Sequence, residues 1–379
     1  METEQRLWHA DQPAAGAGSS ATLSGPAELV LVFGSGERLA ATPFEALRHA
    51  YPEALIVGCS TAGEIFGTNV YDDTLTTTAV RFARTRVRLA ATQVASPEQS
   101  RMAGEALARQ LPPEGLRHVL VFSDGLHVNG TDLVEGLVRE LPAGVAVTGG
   151  LSGDGASFRR TLVVANAAAA EKTIAAVGFY GDALRIGYGS LGGWDPFGPD
   201  RLITRARGNV LFELDGQSAL ALYKRYLGEH AAGLPATGLL FPLELHAQAG
   251  SKSPGLVRTI LSVNEADQSM TFAGDMPEGM YARLMKANFD RLIDGASGAA
   301  QAAALGGASA ELALLISCVG RKLVLAQRIE EEVESVREVL GAGAVLTGFY
   351  SYGEISPARP VAKCELHNQT MTITTFAEV

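Results

Sequence analysis

GCSTAGEI at residues 58–65 and GFYSYGEI at residues 348–355 share one pattern: a glycine, four residues, then Gly-Glu-Ile. Each follows a helix-like stretch and a short apolar run, FEALRHAYPEALIV (44–57) in the first case and VESVREVLGAGAVLT (333–347) in the second. Each of those follows an apolar strand and a Gly-containing turn, ELVLVFGSG (28–36) and ELALLISCVGR (311–321). The order is strand, loop, helix, strand, Gly-turn. HVLVFSDG (118–125), NGTDLVEGLVREL (129–141) and GVAVTGGLSGD (144–154) repeat it in the middle of the chain. An internal repeat of this kind predicts a mixed α/β fold with repeated β-loop-α-β units, flanking helices and two related modules.

The helices have physical grounds. Leu133, Leu137 and Leu141, with Val134 and Val138, form one apolar stripe. Asn129 or Thr131 can cap its start. Val333, Val336, Val339 and Leu340 form the stripe of the last unit, with Glu330, Glu331 and Glu332 at its positive dipole end. Between units the pattern changes to period two. Residues 76–94, 161–194 and 364–376 read as β segments joined in hairpins, with turns near Arg84-Thr85, at Gly181-Asp182 and at His367-Asn368-Gln369. Residues 218–231 read as a helix, as does the stretch from Pro277 to about 305. Residues 1–26 read as a mobile tail, 27–215 as one module and 216–379 as the other.

The chain has 379 residues, 47% hydrophobic and 19% charged, which suffices for about two domains of ~150 residues and excludes global disorder. No run approaches the ~18 apolar residues of a membrane span, so no membrane insertion is expected. The N-terminus has no apolar h-region, so a secretory signal is not expected either. With 41 acidic and 31 basic residues the net charge is -10, which argues against nucleic acid as a partner. Cys59, Cys318 and Cys364 form no C-x-x-C pair and no disulfide framework. A cytoplasmic location is expected.

Loops that follow strands of repeated units fall on one rim, where ligands bind in such sheets. Asp124, Asn129, Gly149, Gly150, Asp154, Arg321 and Glu354 are therefore expected to line one ligand-binding cavity between the modules. Glu64 and Glu354, at equivalent positions, either bind a ligand amine or proton or lock their turns through backbone N–H groups. Arg321 near Cys318 raises the alternative of an enzyme working through Glu354 or Cys318, though no paired histidine accompanies the thiol. Among the histidines, His246 follows Phe241, Pro242, Leu243 and Leu245 and has the apolar surroundings a haem ligand needs. His127 and His367 lie among polar turn residues.

From residue 28 onward the chain resembles the FIST family of sensory domains. GCSTAGEI and SDGLHVNG with TGGLSGD resemble its N-terminal module. PEGMYARLMKAN, SCVGRKLVL with an acidic helix, GFYSYGEI and ELHNQTMT resemble its C-terminal module. The resemblance implies a non-enzymatic sensor of signal transduction that binds a small molecule, amino acids being one proposed class. Members of similar length include a haem-binding, nitric-oxide-sensing type that acts on a histidine kinase, so haem and such a kinase are the cofactor and partner the resemblance implies. The chain carries no kinase, receiver or cyclic-dinucleotide segment, so its output is expected to be a partner protein.

Overall fold

The computed structural model describes residues 1–9, 12–17, 23–251, 255–357 and 363–379. The first unit comprises β1 (Glu2–His9), β2 (Gln12–Ala17), β3 (Leu29–Gly34), α1 (Gly36–Ala41), α2 (Phe44–Ala50), β4 (Leu55–Ser60), β5 (Glu64–Phe66), β6 (Asn69–Tyr71) and β7 (Leu75–Arg81). The second comprises β8 (Arg86–Gln93), α3 (Ser100–Gln110), β9 (Leu116–Ser123), α4 (Gly130–Glu140), β10 (Ala146–Leu151), β11 (Val163–Ala165) and β12 (Thr173–Tyr180). The third opens with β13 (Leu184–Leu191).

A separate module then interrupts the third unit. It contains β14 (Trp194–Pro196), β15 (Arg201–Arg207), β16 (Val210–Leu214), β17 (Gln217–Ser218), α5 (Ala219–Leu227), β18 (Leu243–His246), β19 (Leu256–Arg258), β20 (Ile260–Asn264), β21 (Ser269–Phe272) and β22 (Tyr281–Ala287). The third unit resumes with α6 (Phe289–Ala302), β23 (Leu312–Cys318), α7 (Val319–Leu325), α8 (Ile329–Leu340), β24 (Val345–Ser351), β25 (Gly353–Pro357), β26 (Cys364–His367) and β27 (Met371–Glu378).

The three units build three six-stranded sheets of one design. In each, two parallel strands (β3 and β4, β9 and β10, β23 and β24) are flanked by an antiparallel strand, β7, β12 or β27. On the other side lies a strand from a different unit. β5 of the first unit pairs with β24, β25 of the third with β10, and β11 of the second with β4. The exchange is cyclic, so each unit completes the next sheet and none has a complete sheet of its own.

Repeated glycines make the parallel pairs possible. A Cβ on Gly58, Gly149 or Gly348 would lie 1.8, 1.9 or 1.8 Å from the carbonyl oxygen of Val32, Val121 or Leu315 on the neighbouring strand. Only a residue without Cβ fits there. At the centre, Phe33, Phe122 and Phe349 meet pairwise with ring centroids 5.6, 4.8 and 6.1 Å apart. Burying three phenyl rings contributes several kcal/mol, at ~25 cal/mol per Å² of apolar surface.

Several expectations need correction. Residues 2–9 are not a mobile tail: they form β1, paired with β7, and Leu7 and Trp8 are buried. Residues 10, 11 and 18–22 of that stretch lie outside the described residues. The β segments at 76–94, 161–194 and 364–376 exist, but β7 and β8, β12 and β13, and β26 and β27 belong to different sheets. Their turns are corners that pass the chain between sheets. The helix expected from Pro277 begins only at Phe289, capped by Asn288, whose side chain accepts from the Arg291 N–H. Residues 281–287 are β22, held by β18 on one side and by β14 and β15 on the other. Pairing of a half-buried alternating stretch overrides its helical composition.

Candidate functional site

The Gly-turns after β4, β10 and β24 meet at one end of the molecule. Three backbone hydrogen bonds link them in a ring: Ala62 N–H to Tyr350 O at 2.8 Å, Tyr352 N–H to Leu151 O at 3.2 Å, and Gly153 N–H to Ser60 O at 2.9 Å. Ala62, Gly153 and Tyr352 are equivalent positions, as are Ser60, Leu151 and Tyr350. The repeated motifs thus share one centre.

Around it stand three corners that lead into β7, β12 and β27. Each has a non-glycine residue in the left-handed region just before the strand: Asp73 at φ 55°, Lys172 at φ 58° and Gln369 at φ 63°. A carboxylate clamps each corner. Glu64 Oε2 accepts from the Thr74 N–H at 3.2 Å and hydroxyl at 2.6 Å, and Thr61 donates to its other oxygen. Glu354 repeats this with Thr370 N–H at 3.1 Å, Thr370 hydroxyl at 3.0 Å and Ser351 hydroxyl at 2.6 Å. At the second corner Gly155 stands where the motif would place glutamate. Asp124 takes over, accepting from the Lys172 N–H at 2.6 Å. Burial pushes the Glu354 carboxyl up to about 8, against the lowering pull of these hydrogen bonds.

The side chains of Asp73 and Lys172 are exposed, whereas Gln369 is fully buried. The inserted module makes the difference. β19 and β20 are the end strands of its sheet and are consecutive in the chain, so the sheet curls until its ends meet at Thr259. That junction docks on the third corner. The Thr259 N–H reaches Asn368 Oδ1 at 3.4 Å, Gln369 Nε2 donates to Leu239 O at 3.0 Å, and Arg258 Nη1 donates to Leu366 O at 2.9 Å. Gly274 and Gly320 leave the room, since a Cβ there would lie 2.9 Å from the Arg258 guanidinium and 2.4 Å from the Gln369 amide.

This seam carries unmet polar capacity. Thr259 Oγ1 and Gln369 Oε1 are buried with no hydrogen-bond partner among the described residues. Arg258 is buried, bonds only to carbonyl oxygens (Asp275, Val257 and Leu366), and makes no ion pair among the described residues. Burial pulls its pKa down to about 10, opposed by the charges of Asp275 and Glu365. A buried guanidinium without a carboxylate beside two orphaned oxygens is an incomplete polar set.

The expected site residues divide. Glu354 lies at the third corner, and Asn129 is at the edge of the seam, its Nδ2 donating to Asp275 Oδ1 at 3.1 Å while its Oδ1 caps α4. Gly149 and Gly150 are buried in β10, and Asp124 holds the second corner. Asp154 accepts from the N–H groups of Phe158, Arg159 and Arg160 and from the Tyr352 hydroxyl, fixing the loop over the ring of turns. Arg321 is fully buried. It pairs with Glu332 at 2.8 Å and donates to Gly192 O and Leu292 O. Neither of the cavities at Tyr51 and at Tyr226 is lined by any of the seven. Arg258, Thr259, Asn368 and Gln369 are additions. Asn368 and Gln369 sat in a turn already visible in the sequence, while nothing marked Arg258 and Thr259.

His246 is buried beside Glu244. Its Nε2 lies 2.9 Å from Glu244 Oε2, and its ring packs where a Cβ on Gly255 would be 2.9 Å from Nδ1. His118 bonds Thr148, His367 bonds Ser356 O, and His127 bonds Asp124, so these rings are also engaged. Among the described residues no group of three or more His, Cys, Asp or Glu side chains is placed to hold a metal ion. Cys318 is buried and its thiol is pushed well up by burial and by the Glu354 charge, which opposes a nucleophilic role. No described helix is long and apolar enough to cross a membrane.

The repeated corners and the interrupted third unit define a class of mixed α/β protein whose units exchange strands. The model of the FIST N domain matches residues 28–217 and that of the FIST C domain residues 219–357, and the chain belongs to this family. FIST domains are sensory ligand-binding domains of signal transduction. No curated protein matches the chain. Among solved structures, a cyanuric acid hydrolase from A. caulinodans is similar at 8% identity and a TM-score of 0.36, over 93% of this chain and 90% of that one. A second cyanuric acid hydrolase structure is similar at 9% identity and a TM-score of 0.36, over 100% and 99%. Likeness at that level bears on neither chemistry nor ligand.

Proposed function

We propose that this protein senses a small carboxylate-bearing ligand at the seam between the inserted module and the third corner. The observation that carries the reading is the set of Arg258, Thr259 Oγ1 and Gln369 Oε1, all buried and none fully paired. A carboxylate would pair with the guanidinium, and donors on the same ligand would meet the two oxygens. Asn129, Asn368 and Glu354 lie around the same place. A ligand that completes the set favours one seating of the module on the three-unit body, which is a bias on a two-state element. The signal then passes by contact to a partner protein, a histidine kinase being the partner class the family resemblance suggests. Glu354 is committed to its clamp and Cys318 to the core, so we assign no catalysis to either.

The test is thermal unfolding of the full chain with a panel of small carboxylates, including succinate and the L-amino acids. At least one should raise the wild-type midpoint, and Arg258→Gln should abolish the shift while retaining the native circular dichroism spectrum. If no member of the panel shifts the wild type, or the variant shifts equally, the seam is not the site.

A further inference from the structure

A polar cavity lies in the first unit, against β1, lined by no residue of the seam. It has an open volume of about 160 Å³ and is lined in part by Glu4, Arg6, Pro26, Tyr51, Pro52 and Glu53. Glu4 decides its chemistry. The side chain is only 5% exposed, and its Oε1 accepts from Arg6 Nε at 2.7 Å. Its Oε2 has no hydrogen-bond or ion-pair partner among the described residues, although the carboxylate is deep in the wall. Two carboxylates face one guanidinium here, so the lining is net negative by one charge. The two prolines contribute no N–H donor. Arg6 itself shows what the place accepts, since its guanidinium pairs with Glu4 while lying 5.6 Å from the centroid of the Tyr51 ring.

We infer that this cavity is a binding site for a small organic cation, an alkylammonium or alkylguanidinium group seated on the free Glu4 oxygen with its alkyl part against Tyr51 and the prolines. The buried carboxylate supplies charge, the aromatic ring a cation-attracting face, and the volume fits a ligand of a few heavy atoms. Arg6 competes for the same carboxylate and sets the affinity.

The test is calorimetric titration of the full chain with n-butylguanidinium, n-butylammonium and, as the neutral counterpart, n-butanol. Trp8 fluorescence gives a second readout, because the Trp8 indole donates to Thr77 Oγ1 at 3.0 Å and Tyr51 OH meets that same oxygen at 3.3 Å. The cations should bind and n-butanol should not. Glu4→Gln should weaken cation binding about tenfold or more, because the charge-assisted contact is lost. Arg6→Ala should strengthen it several-fold. The inference is overturned if n-butanol binds as well as the cations, if neither cation gives heat or a Trp8 response at millimolar concentration, or if Arg6→Ala weakens binding. None of these outcomes touches the seam, whose test uses carboxylates and Arg258.

Discussion

Glu354 Oε2 accepts both the N–H and the hydroxyl of Thr370, sixteen residues further on, just as Glu64 accepts both from Thr74. Each pair ties an exchanged strand to the corner that follows it. The Gly-Glu-Ile motif is therefore a clamp on the strand exchange, and its glutamate is held by backbone and hydroxyl donors.

That clamp has a pH signature. The folded-state pKa of Glu354, about 8, lies above its ordinary value of 4.5. The folded state thus prefers the proton, and the associated stability is present below 4.5 and lost as pH rises through 8. Urea midpoints of wild type and Glu354→Gln should differ more at pH 8 than at pH 5, in favour of the variant at the higher pH.

The buried histidines act in the opposite direction. Burial lowers His118 to about 3 and His367 to about 4 from an ordinary 6.5. Their neutral forms suit the fold, so stability is full above 6.5 and falls as pH drops below it toward these values. His367→Gln should flatten the acid limb of a stability–pH curve by up to about 1.4 kcal/mol per pH unit.

Gly149→Ala should cost about 3 kcal/mol or more, because its Cβ would collide with the Val121 carbonyl oxygen on the paired strand. Gly58→Ala and Gly348→Ala should behave alike, while Gly343→Ala, with open space around it and no left-handed backbone, should cost far less. Chemical denaturation of the four variants checks the equivalence of the units.

Arg321 and Glu332 form an ion pair with both side chains fully buried, and Glu332 also accepts from Tyr350 and Ser317. Arg321→Met should cost about 3–5 kcal/mol, since it strands a buried carboxylate. The double variant with Glu332→Gln should recover a measurable part of that loss in a double-mutant cycle.

Thr259→Val removes a hydroxyl that has no partner among the described residues. The apo protein should be unchanged or up to about 1 kcal/mol more stable. A loss well beyond that would show that the hydroxyl is already satisfied and would count against the seam.

Much of the design was legible along the chain. The Gly-x4-Gly-Glu-Ile repeat, the apolar stripe of α4, the acidic start of α8 and the strand at 118–123 are local patterns, and local patterns set local structure. Glu64 and Glu354 were recognisable as equivalent because their spacing from the strand glycine is the same. Arg321 follows a strand, as the sequence indicates, but its buried pairing with Glu332 had no local signal. Arg258 and Thr259 carried no local signal at all.

The sequence by itself determined most strands and helices of the repeated units, and that one unit recurs three times, but not β1 or β22. Period two tells which face of a strand is buried but not which strand lies beside it. Only the tertiary structure decided that β7 and β8, β12 and β13, and β26 and β27 part company at their turns, and that β5, β11 and β25 complete other units' sheets. It also decided that, of three equivalent corners, one is covered. Asp73 and Lys172 stay in water, while Gln369 is buried because the module inserted after β13 closes its sheet at Thr259 and docks that edge on β26 and the corner. Burial of a polar side chain depends on what covers it, and here that cover comes from residues more than a hundred positions earlier in the chain.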